Sequence, residues 1–309
     1  MKRIVTRILP SGEQKKVQPF HVCIKGLETA ILCRDDEDYD VFVKYISISA
    51  RRHNVMVIIY GVVSNHCHVA VLAASQKEAD DFTMELKKVY SQWIQSKYGE
   101  TKILHRVEAK AICLDNDWYI RNALAYIPRN ALDNGCPIQE YPWSGYQAMF
   151  SSAQRTNGIR VAALTKRERT QIMHTRDNLK DVSWLLDEKY HLIPSSFCDI
   201  EYLEQAFNHD QAFWLKTIGG LNPAEMEEKL VEAPRRMLPD SEFYKVVADT
   251  VQRWFQTDLG QLPREKKLRL LPYLWRSRKT TVNQLARVFG LPREEVQAAL
   301  KKPDSSDRG

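Results

Sequence analysis

SNHCHVAVLAAS, residues 64–75, sets two histidines two positions apart at the head of an apolar run. Side chains at i and i+2 of a strand share a face, so a strand through this stretch projects His66 and His68 side by side and turns Cys67 the other way. Two neighbouring imidazoles serve either as ligands of a metal ion or as ordinary strand-end histidines, one bonded to a backbone carbonyl and one in water. The stretch alone leaves both uses open. Just before it, VMVIIYGVV (55–63) is a β-branched run too short for a long helix, and Ser64-Asn65 offers a turn. The two runs therefore read as an antiparallel hairpin, its second strand over HVAVLA (68–73).

Outward from the hairpin, FHVCIKG (20–26) reads as a first strand and DDEDYDVFVKYISISARRH (35–53) as an amphipathic helix. The apolar positions Tyr39, Phe42, Val43, Ile46 and Ala50 of that helix fall three or four apart. QKEADDFTMELKKVYSQWIQSKYG (76–99) reads as a second helix that stops at Gly99, and ILHRVEAKAICL (103–114) as a returning strand. DNDWYIRNALAYI (115–127) reads as a third helix with Asp115 as its N-cap. The order β-α-β-β-α-β-α implies an α+β unit, a small antiparallel sheet with helices on one face.

Composition bounds the function classes. The 309 residues with a 44% hydrophobic fraction suffice for a sizeable core and about two domains. No segment reaches the ~18 apolar residues of a membrane span, and MKRIVTRILPSGEQKK lacks the apolar stretch of a signal peptide, so a cytosolic protein is expected. The six cysteines form no CxxC pair, which points away from a disulfide framework or a zinc ribbon. The net charge of +6 is unevenly spread: residues 261–302 carry eleven basic side chains against three acidic ones. Such a concentrated basic segment suits a phosphate-rich partner.

The third helix carries a tyrosine and an amide one turn apart. If the helix runs on through AYIPRN (125–130), Tyr126 and Asn130 lie on one face. Pro128 stands between them and predicts a kink, because an interior proline lacks the backbone donor and crowds the carbonyl four residues back.

SNHCHV at the hairpin, a long helix after it, AYIPRN and then EYPWSGY (140–146) follow in an order and spacing that resembles the REP-associated tyrosine transposases, within the single-tyrosine HUH transposases. The resemblance covers about residues 17–150. It implies a ferredoxin-like HUH nuclease fold over residues 1–150, with Tyr126 as nucleophile. It also implies His66, His68 and Asn130 as ligands of one magnesium or manganese ion, and single-stranded or hairpin-forming repeat DNA as substrate. The expected product is a 5′-phosphotyrosine link, which conserves the phosphoryl bond for a second strand transfer. Ligand softness alone would assign two imidazoles to zinc, so the choice of metal comes from the resemblance. Tyr119, seven residues before Tyr126 and near the same helical face, is the alternative nucleophile. An HUH-fold DNA-binding protein without turnover is the alternative function. A cytoplasmic, nucleoid-associated bacterial protein is implied, with monomer and homodimer both open.

Residues 151–240 read as a helical linker or accessory region. Thr165 and Glu168 have capping-box form, Asp199 precedes a helix, and Asn222-Pro223 starts another that stops at Pro234. Phe207, Phe213, Trp214 and Leu215 are the expected packing residues there. Residues 241–309 read as a basic helical region. Within it, TTVNQLARVFGLPREEVQAALKK (280–302) resembles a helix-turn-helix, with Ala286, Gly290 and Val296 at the small, turn and buried positions. Arg276, Arg278, Lys279, Arg293 and Gln297 are the candidate DNA contacts, and a purely structural helical hairpin is the alternative.

Overall fold

A computed structural model describes residues 3–26, 31–100, 107–151, 157–221, 240–277 and 280–301. The chain falls into two compact units, residues 1–227 and 228–309. No helix among the described residues is long and apolar enough to cross a membrane.

The first unit is α+β. Its strands are β1 (Val5–Ile8), β2 (Gln14–Gly26), β3 (Met56–Val62), β4 (His66–Ala73) and β5 (Val107–Cys113). The antiparallel order is β5-β2-β4-β3, and β1 pairs with the start of β2. Helix α1 (Asp36–Arg52) begins where the Asp35 carboxylate accepts from the Asp38 amide, with three acidic residues in its first turn and two arginines in its last. Both charge placements complement the helix dipole. Helix α2 (Gln76–Tyr98) starts at the Ser75 cap and stops at Gly99, whose φ of +68° is left-handed. Helix α3 (Asp117–Arg129) is capped by Asn116, whose side chain accepts from the Tyr119 amide at 2.9 Å, and not by Asp115 as expected.

Strand β4 starts at His66, two residues earlier than expected, because Lys25 of β2 gives that residue a partner. Alternation then divides the sheet into two chemically different faces. Phe20, Val22 and Ile24 of β2 lie on the same side as Cys67, Val69 and Val71 of β4, all buried. Tyr60 of β3 also lies on that side, opposite Val69. The other side carries His21, Cys23 and Lys25 of β2, His66 and His68 of β4, and Gly61 of β3 opposite His68. The expectation of helices on one face is corrected here: α3 lies against the histidine side. A Cβ at Gly61 would sit 2.7 Å from the Ile127 carbonyl oxygen, so only glycine lets the helix come this close.

The helix does not end at Pro128. Helix α3 includes it and tightens directly into a 3₁₀ turn, Asn130–Asn134. The Asn130 amide bonds the carbonyls of Ile127 and Pro128, leaving the Tyr126 carbonyl without its usual α-helical donor. The Asn130 side chain supplies one, with Nδ2 donating to Tyr126 O at 2.9 Å and to Ile127 O at 3.2 Å.

Two later segments cover β3. Residues 141–145 of the EYPWSGY stretch run along it: the Val62 amide donates to Trp143 O at 3.0 Å, Gly61 bridges Ser144, and the Tyr141 hydroxyl donates to Val62 O at 2.7 Å. At the other end of the strand Val57 bridges Cys198, and the Asp199 amide donates to Val57 O at 2.7 Å. The described part of the expected linker, residues 157–221, is thus integral to the first unit. The Thr165–Glu168 capping box and the Asp199 cap both form. Phe207 and Trp214 are fully buried, whereas Leu215 is exposed. The helix expected between Asn222 and Pro234 lies outside the described residues.

The second unit contains helices α7 (Asp240–Phe255), α8 (Arg264–Ser277), α9 (Val282–Phe289) and α10 (Arg293–Lys301); α4 (Lys166–Met173), α5 (Ile200–Ala206) and α6 (Gln211–Gly220) belong to the first. The core of the second unit runs from Phe243 and Val247 through Leu270, Leu271 and Leu274 to Leu285, Phe289 and Val296, with Ala286 packed against it. Thr281 caps α9, and Gly290 ends it at φ +62°.

Candidate active site

Three imidazoles, one phenol and one amide meet on the polar side of the sheet. β4 delivers His66 and His68 on one face, with ring centroids 5.0 Å apart. Because Gly61 admits α3 closely, the Tyr126 ring stands edge-on to His68, centroid to centroid 5.2 Å. One turn later the Asn130 Oδ1 lies 3.0 Å from His66 Nε2. The four residues expected to form the site, His66, His68, Tyr126 and Asn130, are thereby together.

The Asn130 amide has one chemically sensible orientation. Both bonds to Tyr126 O and Ile127 O require a donor, so the NH₂ faces the helix carbonyls and the oxygen faces His66. On the far side of that ring, Asn65 Oδ1 lies 2.7 Å from His66 Nδ1. As placed, both nitrogens of His66 face amide oxygens, yet a neutral imidazole carries a single N–H. If that proton faces Asn65, Nε2 turns a lone pair toward the lone pair of Asn130 Oδ1. An Asn65 amide turned to donate to Nδ1, with Nε2–H donating to Asn130 Oδ1, relieves this, and so does a cation between Nε2 and Oδ1. The spacing suits one, since adjacent ligands at about 2.1 Å on an octahedral ion stand about 3.0 Å apart. His66, His68 and Asn130 are of a donor type and spacing that could hold a divalent ion. Among the described residues no group of three or more His, Cys, Asp or Glu side chains is placed as a metal cluster.

Burial keeps the inner rings neutral. His68 is held well below the usual histidine range, first by burial and then by His21, His66 and Lys25 nearby. Burial lowers His21 to about 3. Neutral imidazole is the form that ligates metal. Burial pushes the Cys67 thiol well up, consistent with a small buried apolar side chain and not a thiolate ligand.

His21 stands beside these residues and was missed in reading the sequence. Its Nε2 lies 3.1 Å from His68 Nδ1, and its ring is 6.4 Å from Tyr126. The signal was present in FHVCIKG, where Phe20, Val22 and Ile24 alternate with His21, Cys23 and Lys25. Asn65, set aside as a turn residue, also contacts the site through His66. Tyr119 is half-buried on the same helix as Tyr126.

In the second unit, Arg293 and Gln297 are both exposed one turn apart on α10. Arg276 falls at the end of α8, and Arg278 and Lys279 lie outside the described residues. Other basic groups are engaged internally: Arg264 pairs with Glu295 at 2.6 Å and Arg287 with Asp240 at 2.6 Å. Comparison with protein-family models, with curated proteins and with solved structures gives no match.

Proposed function

We propose that the chain is a metal-dependent, single-strand DNA transesterase of the single-tyrosine HUH class, acting at hairpin-forming repeats as a transposase-like nickase and strand transferase. The observation that carries the reading is the convergence of Tyr126, 5.2 Å from His68, with Asn130, 3.0 Å from His66, on one sheet face. The antiparallel order β5-β2-β4-β3, with α1 and α2 as crossovers, supports a ferredoxin-like HUH arrangement.

In this reading the Tyr126 phenol loses its proton and its oxygen attacks phosphorus. The P–O3′ bond breaks, and the 3′ oxygen leaves as a hydroxyl after taking up a proton, giving a 5′-phosphotyrosine link. His66, His68 and Asn130 would hold magnesium or manganese, which would offset charge on the scissile phosphate. An unpaired strand suits the site because its backbone approaches without a complementary chain and its bases stay readable. The α9–Gly290–α10 segment acts as a helix-turn-helix that adds DNA affinity through Arg293 and Gln297, and Arg264 neutralises Glu295, which would otherwise oppose phosphate. A cytoplasmic, nucleoid-associated location belongs to the same proposal.

One observation favours a second reading, a DNA-binding protein without turnover: Tyr126 is only 4% exposed and Asn130 only 2%. Labelled single-stranded hairpin DNA, incubated with manganese, magnesium or EDTA and run on a denaturing gel, separates the two. The transesterase gives a metal-dependent covalent adduct that Tyr126→Phe abolishes and Tyr119→Phe retains. Retention of DNA only under native conditions, with no adduct across a panel of hairpins, establishes the second reading.

A further inference from the structure

His21 is fully buried, and its Nε2 faces His68 Nδ1 at 3.1 Å. Its other nitrogen, Nδ1, is also buried and has no hydrogen-bond partner among the described residues. Two neutral rings that face each other this way share one proton, and the two possible placements have opposite consequences. If His21 donates, His68 receives at Nδ1, keeps its proton on Nε2, and has no lone pair for a metal ion. If His68 donates from Nδ1–H, His21 accepts at Nε2, its own proton sits on the buried, unpartnered Nδ1 at a cost in stability, and His68 Nε2 is bare. Only the second arrangement makes His68 a ligand. A carboxylate or backbone carbonyl commonly accepts the far N–H of a metal-bound histidine. Here the atom in that position is an imidazole nitrogen from the neighbouring strand.

We infer that His21 is a positioning residue: it accepts the hydrogen bond from His68 Nδ1–H, fixes the His68 tautomer and ring orientation, and so presents the Nε2 lone pair to the ion. This rests on the metal-dependent reading above. Placement on β2 makes the arrangement stiff, since β2 and β4 are paired continuously from Gln18↔Ala73 to Lys25↔His66.

The test is ¹⁵N NMR of the full-length, metal-free protein labelled at histidine, combined with Mn²⁺ titration followed by EPR without DNA. The expected result is an Nδ1–H tautomer for His68 in the wild type. Mn²⁺ affinity should fall about 10- to 100-fold in His21→Leu and be largely restored in His21→Gln, whose amide oxygen can accept the same bond. Wild-type protein that binds Mn²⁺ with His68 as the Nε2–H tautomer, or His21→Leu that folds and binds as tightly as wild type, overturns the positioning role alone. Wild-type protein in the Nδ1–H form that binds no Mn²⁺ overturns the metal reading itself, and with it the presentation of Nε2 to an ion.

Discussion

The two sides of one sheet are built from alternate residues of the same strands, yet they do opposite work. On one side Phe20, Val22, Ile24, Cys67, Val69 and Val71 are all buried and apolar. On the other, His21, His66 and His68 make specific polar contacts under α3, and each has a partner at 3.1 Å or less. Burial of apolar area is non-directional and stabilises in proportion to the area removed from water. Buried polar groups gain little net stability and lose heavily when one partner is missing. The difference teaches that the apolar side supplies the rigidity that the polar side spends on holding side chains in place.

The sharpest way to break this contrast is to damage the apolar side. Phe20→Ala should cost about 3–5 kcal/mol, the range for removing a buried ring, measured by urea denaturation. Mn²⁺ affinity of the folded protein should remain within about twofold of wild type. If affinity collapses along with stability, the two sides are not separable.

Acid provides the next test. His21 and His68 have pKa values below the ordinary 6.5, so the unfolded chain binds more protons than the folded one as pH drops from that value. Their contribution is fully present above pH 6.5 and is lost on acidification, down to about 3 for His21. Between pH 6.5 and 5.5 this should remove roughly 1 kcal/mol per histidine from the metal-free protein. Residues 228–309 contain no histidine, so the second unit lacks this component. Urea midpoints of the two units, read from separate probes across pH 7.5–5, measure the contrast.

The smallest effect on stability should come from replacing both members of the polar pair. His21→Leu with His68→Leu removes donor and acceptor together and should change unfolding free energy by less than about 1 kcal/mol, while abolishing Mn²⁺ binding and the covalent adduct. A loss as large as that of Phe20→Ala would show that the polar side carries stability as well as chemistry.

Much of this was legible in the sequence, for identifiable reasons. The hairpin was readable because β-branched runs meet at Ser64-Asn65, and period-two alternation put His66 and His68 on one face. The first two helices were readable from three-to-four spacing and from Gly99. The position of α3 was not, because propensity and pattern say nothing about which side of a sheet a helix joins. That was decided by Gly61, a glycine whose close approach to Ile127 exists only in three dimensions. Pro128 was expected to kink the helix and part Tyr126 from Asn130, yet α3 continues through it and Asn130 reaches His66. His21 escaped notice because its partner lies 47 residues away on another strand. Residues 157–221 looked like a linker because their contacts, such as Arg7 with Asp199 at 2.7 Å, join distant parts of the chain.

The cover over β3 has a consequence for the nascent chain. Until Trp143 and Ser144 are made, the backbone of Gly61 and Val62 has none of its later partners, and Val57 waits for Cys198 and Asp199. A strand edge in that condition is a template for pairing with another molecule. Synthesis at ~5–20 residues per second leaves the Val57 end of that edge bare for roughly 7–27 s while residues 63 to 198 are added. Synthesis that stalls before Cys198 leaves the Val57 end of β3 without these partners. Addition of Cys198 and Asp199, and not formation of the sheet, is then the step that covers the last open end of β3.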